Sequence, residues 1–162
     1  MKKTWSNTAL VAYSLLPKIA KEIDFAIQSR VKSSFQSRHL KIGVSNEQLI
    51  GEILDLTDEK RKIVNMRYVV ATALKQMKDK DRNILIERIV KKTTFQDIST
   101  NDNISLRTAF RRVAIAEEEF ARNLRKNGYD EQWFEKEYGN DKLILPIRRQ
   151  IMTDKYFVAK NL

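Results

Sequence analysis

Cysteine is absent, and histidine occurs once, at His39. The first absence excludes a disulfide scaffold and any Cys-ligated zinc site. The second leaves one imidazole for all His-based metal binding or nucleophile activation. Glycine is scarce at four residues and proline scarcer at two. All-β folds rely on turns rich in those residues, so an all-α chain is expected. Long apolar runs are also missing. The longest near the N-terminus, Ala9–Tyr13, spans five residues, against the ~18 that a membrane span needs. The opening MKKTWSNTALVAYSLLP pairs Lys2 and Lys3 with apolar residues. It lacks a sustained apolar core and a small-x-small cleavage site, so it reads as a helix start in a cytoplasmic protein without a membrane partner.

Basic residues are plentiful. The 162-residue chain carries 31 Lys plus Arg against 21 Asp plus Glu, a formal charge of +10. The excess is uneven: +5 over residues 1–50, +1 over 51–75, +4 over 76–128 and zero over 129–162. A positive field of this kind attracts polyanions, nucleic acid foremost. At 42% hydrophobic residues, the chain can still form a packed core.

Apolar periodicity divides the chain into a helical region 1–76, a module 77–128 and a helical tail 129–162. In the first, Leu16, Ile19, Ile23, Ile27, Val31 and Phe35 step by three or four along residues 8–35. That spacing predicts one long helix, or two joined at Pro17, with these residues facing inward. Ser45 and Gln48 have capping-box spacing ahead of a helix over 46–56, with Leu49, Ile50 and Ile53 inward. Thr57 then offers a cap for a separate helix bearing Ile63, Met66, Val70, Leu74 and Met77. The region serves packing, dimerisation or partner contact. Asp58 and Glu59 sit where a helix start favours acids and suggest no catalysis.

The module holds the chemistry. A helix from Asp79 to about Lys91 turns Ile84, Leu85 and Ile89 inward. Thr94 caps a short helix with Phe95 and Ile98, and Asn101-Asp102-Asn103 forms a polar turn. Ile104 plugs the junction, and Ser105 caps a helix reaching Lys126, stopped by Gly128. Asn103 occupies the position where positive φ is needed, which asparagine tolerates. This is the pattern of a helix-turn-helix. On the third helix Leu106, Ala109, Phe110, Val113, Ala116, Phe120 and Leu124 share one arc. Arg107, Thr108, Arg111 and Arg112 fall on the other. Arg forks match guanine edges or phosphates, and Thr meets a base edge or a thymine methyl. Glu117, Glu118 and Glu119 repel phosphate, so contact is confined to the first two to three turns.

The run TFQDISTNDNISLRTAFRR, Thr94 to Arg112, resembles the helix-turn-helix of sigma factor region 4. Thr94 opens the second helix, the Asp97-Ile98-Ser99 triplet follows, and Ile104-Ser105 precedes the recognition helix. Ser99 stands for the usual Ala, Asp102 for an apolar residue and Asn103 for Gly. The likeness covers residues 77–126. The layout is similar to phage and prophage transcriptional regulators of the ArpU/RinA kind. The resemblance implies DNA-binding transcriptional control, with Ser105, Arg107, Thr108, Arg111 and Arg112 meeting double-stranded DNA. Thr94 joins them as a candidate contact. Two alternatives stay open: a minimal sigma-like factor acting with RNA polymerase, and a helical interaction module that binds no DNA. Dimerisation, which would set two recognition helices on successive major grooves, is also open. No Gly-rich phosphate loop, metal cluster or nucleophile-base pair occurs, so no enzyme, cofactor or metal is expected. The aromatics Trp133, Phe134 and Tyr138 of the tail are expected to pack on the core or on a second subunit.

Overall fold

Apolar residues repeating every three to four positions close into helices, and capping side chains fix where several of them begin. In the computed structural model the described residues, 4–40 and 45–153, contain helices and no strand. The fold is all-α. The elements are α1 (Thr4–Leu40), α2 (Asn46–Lys75), α3 (Asp79–Leu85), α4 (Phe95–Asn101), α5 (Leu106–Lys126), α6 (Glu131–Tyr138) and α7 (Ile144–Thr153). A π-helical turn, Ile86–Val90, extends α3.

The first two helices are longer and less interrupted than their sequences suggest. α1 runs through Pro17 without a break. α2 runs through Thr57, whose hydroxyl does not cap a new helix but donates to the Ile53 carbonyl at 2.7 Å. That back-bond to the preceding turn is how a threonine is accommodated inside a helix. Ser45 does cap α2, accepting the Gln48 N–H at 3.2 Å. The expected inward stripe of α1 is covered only in part. Leu16 and Ile23 are buried, whereas Val31 and Phe35 are exposed. Ile50 is exposed as well.

The chain divides into two compact units. One comprises residues 15–67, the later part of α1 and the earlier part of α2. Arg30 pairs with Glu52 at 2.7 Å and Asp24 with Lys60 at 2.5 Å. The partners run in opposite senses along the two helices, so the unit is an antiparallel hairpin. Its buried apolar side chains are Leu16, Ile23, Leu49, Ile63 and Met66.

The other unit joins the first 14 residues to residues 68–162. Its core gathers Trp5, Leu10, Val69, Val70, Leu85, Ile89, Val113, Phe120, Leu124 and Phe134. α3 and α4 both pack on α5. Trp5 meets Phe134 with ring centroids 6.2 Å apart, and Phe134 meets Tyr138 at 5.7 Å. Phe134 and Tyr138 of the tail are therefore core residues, whereas Trp133 is half-buried and packs edge-on against Tyr129 and Tyr138. Polar pairs also tie this unit across long sequence distances. Asn7 donates through Nδ2 to Glu117 Oε1 at 3.1 Å, both side chains being buried. Asn123 Nδ2 donates to the Ala73 carbonyl at 3.3 Å. Asp141 caps α7, accepting the N–H groups of Leu143 and Ile144. Pro146 falls in the first turn of α7, where its missing donor is not required. Among the described residues no helix is long and apolar enough to cross a membrane.

Candidate nucleic-acid interface

The arrangement of α4 and α5 follows from two hydroxyl caps and one unusual backbone angle. Thr94 Oγ1 accepts the Asp97 N–H at 3.0 Å and donates to the Asp97 carboxylate at 2.6 Å. α4 thus begins with a threonine cap closed by an acid three residues on. At its far end the Asp102 N–H returns to the Ile98 carbonyl. Asn103 then takes φ 51°, the left-handed conformation that reverses the chain and that asparagine adopts more readily than most residues. Ile104 is locked by two bonds to one residue: its N–H donates to the Ser99 carbonyl at 3.0 Å, and its carbonyl accepts the Ser99 hydroxyl at 2.6 Å. Ser99 therefore fastens the turn.

Ser105 begins α5. Its Oγ accepts the Thr108 N–H at 3.1 Å and lies 2.8 Å from the Thr108 hydroxyl. The three hydroxyl-bearing candidates are thus all engaged within the module. Thr94 and Ser105 are spent first on capping helix ends, and Thr108 on its bonds to the Ser105 cap.

The arginines are placed differently. Arg107, Arg111 and Arg112 are all exposed, and none pairs with another described residue. Four residues apart, Arg107 and Arg111 stand one above the other on the outward ridge of α5. Arg112 is turned by about 100° from Arg111 and borders a cleft of 990 Å³ between α3, the π-helical turn and α4. That cleft is lined by Lys78, Lys80, Lys91 and Arg112 on the basic side, and by Asp79, Asp81, Glu87 and Asp102 on the acidic side. With both signs equally represented, the cleft does not select an anion. Glu87 titrates below the ordinary carboxylate range, because Lys91 and then the Thr93 hydroxyl hydrogen-bond to its charged form.

Leu106 and Phe110 depart from the expected inward arc. Both are partly exposed, Phe110 at 45%. Phe110 is met on one side by Phe95, with centroids 4.0 Å apart. Phe95 is in turn backed by Arg88, whose guanidinium carbon lies 4.1 Å from the ring centroid. Arg88 is only 6% exposed and donates to the Thr93 carbonyl at 3.1 Å. The π-helical turn and Lys92 at φ 57° bring Arg88 and Phe95 together. Sequence reasoning missed this stack, since an arginine in a helical pattern gives no sign of facing inward.

The acidic triplet also resolves into separate roles. Glu117 is buried against Asn7 and Glu119 is half-buried. Glu118 alone of the three is fully on the surface, 3.6 Å from Arg125. The exposed face of α5 is therefore basic at its first turns and mixed farther along. Among the described residues no group of three or more His, Cys, Asp or Glu side chains is arranged to hold a metal ion. No protein-family model, curated protein or solved structure matches this chain.

Proposed function

We propose that the chain is a sequence-specific DNA-binding transcriptional regulator that reads the major groove with the first turns of α5. One observation carries the reading. Arg107 and Arg111 stand four residues apart at the capped, positive end of a long helix, exposed and without internal partners. An arginine in a structural role is held by a carboxylate or a carbonyl, as Arg88 is. Two free guanidinium forks on one ridge are what bidentate recognition of guanine or phosphate requires. Three further features support the reading. The N-terminus of α5 favours an anion. The turn at Asn103 gives the element spacing of a helix-turn-helix. Residues 76–128 carry net +4, which provides the field for phosphate contact. Regulation of the phage or prophage type belongs to the same proposal and rests on the resemblance alone.

Fluorescence anisotropy with duplex DNA across a salt series tests the proposal. Affinity should fall steeply with salt, since each phosphate neutralised contributes about 0.9 to the log–log slope. Salt-independent binding, or none, would refute it.

A further inference from the structure

The outward ridge of α5 carries one large apolar side chain among charges. Arg107, Arg111 and Ile115 follow one another at intervals of four residues, so they climb the ridge in steps of about 6 Å and 40°. Ile115 is 52% exposed. Its neighbours one turn before are Arg111 and Arg112, and one turn after are Glu118 and Glu119. The other large apolar side chains that α5 exposes, Leu106 and Phe110, lie about 140–180° from it around the helix. They stand on the side where Phe110 meets Phe95. The adjacent Val113 and Ala116 are fully buried and serve the core. Ile115 is thus set apart from the apolar side chains of its own helix and placed in line with the two free arginines.

We infer, on the reading of duplex DNA proposed above, that Ile115 is a specificity residue that packs on the 5-methyl group of a thymine in the major groove. The charge pattern selects that partner. An apolar protein surface laid over Ile115 would also cover Arg111 and Arg112, and burying a charge without a partner is costly. Duplex DNA satisfies both kinds of group. Phosphates and guanine edges take the guanidinium forks, and the thymine 5-methyl is the apolar group that base pairs present in the major groove. The place along the helix fits as well. Glu118, three residues on, is the first exposed carboxylate of α5 and lies 3.6 Å from Arg125. Ile115 is therefore the last exposed side chain of the ridge before its charge changes sign.

Deoxyuridine pairs as thymidine does and lacks only the 5-methyl group, so it isolates the contact. The probe is the duplex that the native chain enriches from a random pool, with its thymidines replaced one at a time by deoxyuridine. At one position the replacement should weaken binding about fourfold, the worth of one buried methyl or methylene group. Competition anisotropy reads the ratio. Ile115→Ala should bind the thymidine duplex more weakly and should no longer distinguish it from the deoxyuridine duplex. Position 115 is exposed and alanine favours a helix, so the unfolding midpoint of the variant should be unchanged or raised. Two results overturn the inference while leaving the arginine reading intact. One is an enriched duplex that tolerates deoxyuridine at every thymine yet still requires Arg107 and Arg111. The other is a deoxyuridine penalty that persists undiminished in Ile115→Ala. Enrichment of no sequence at all refutes the proposed function, and this inference with it.

Discussion

Single side chains in the outer face of α5 differ in what they can do, because they differ in what already holds them. Arg107 and Arg111 are exposed and unpaired, so Arg107→Ala or Arg111→Ala should cost about 1–3 kcal/mol of specific binding. Being surface changes, they should shift stability by under about 0.5 kcal/mol. Competition between matched and mismatched duplexes, alongside denaturant melts, separates the two effects. Backbone strain gives a second residue-scale test. Lys92 holds φ 57°, a conformation costing a side-chain-bearing residue about 1–2 kcal/mol. Lys92→Gly relieves it at the expense of a freer unfolded chain. A net gain of up to about 1 kcal/mol is expected, a rise of roughly 2–4 °C in thermal unfolding. Glu87 supplies a titration test. Its folded value lies below the ordinary one, so its contribution is complete above the ordinary carboxylate range and lost as pH falls through the folded value. In an NMR titration its carboxyl should move back toward the ordinary range in Lys91→Ala. The polar candidates were legible in the sequence as types and spacings, but their occupancy was not. Nothing in the order of letters says that Thr108 leans on Ser105, or that Glu117 turns inward to meet a residue 110 positions away.

Helix ends and turns were readable where a local mechanism fixes them. Thr94 and Ser105 cap α4 and α5 as their spacing predicts, and Asn103 and Gly128 take the positive φ their positions demand. These signals act within four residues, so the sequence contains them whole. Thr57 shows the converse. It has the type of a cap but lies inside α2, since favourable helix formers continue on both sides and no loop chemistry interrupts them. The π-helical turn at Ile86–Val90 left no mark on the apolar period, because Ile84, Leu85 and Ile89 stay buried through it. One pair of substitutions distinguishes a true cap from an interior threonine. Ser105→Ala should lower stability by about 1 kcal/mol. Thr57→Ala should raise it by up to roughly 0.7 kcal/mol, the difference in helix propensity. Urea unfolding midpoints of the two variants give the comparison, and equal losses would mean that α2 breaks at Thr57.

At the scale of the whole molecule, the first turns of α1 meet α5 and α6 through contacts that periodicity does not report. Trp5 is 2% exposed and meets Phe134, while Asn7 meets Glu117. The apolar stripes on α1 and α2 were visible, but their partners in space were not, and so Val31, Phe35 and Ile50 read as core while standing exposed. Trp5→Ala should therefore destabilise the unit holding α3–α7 by about 3–5 kcal/mol, seen as loss of the cooperative near-ultraviolet transition. With that unit intact, part of the +4 carried by residues 76–128 has a location: three exposed arginines at the start of a capped helix, ahead of a surface that turns mixed in sign. Selection of duplexes from a random pool, with the native chain and with the Arg107→Ala, Arg111→Ala double variant side by side, tests this most directly. The native chain should enrich a defined sequence, and the variant should lose that enrichment while keeping its fold. Enrichment of no sequence by the native chain, or the same sequence by both proteins, would contradict the assignment of α5 as the reading helix.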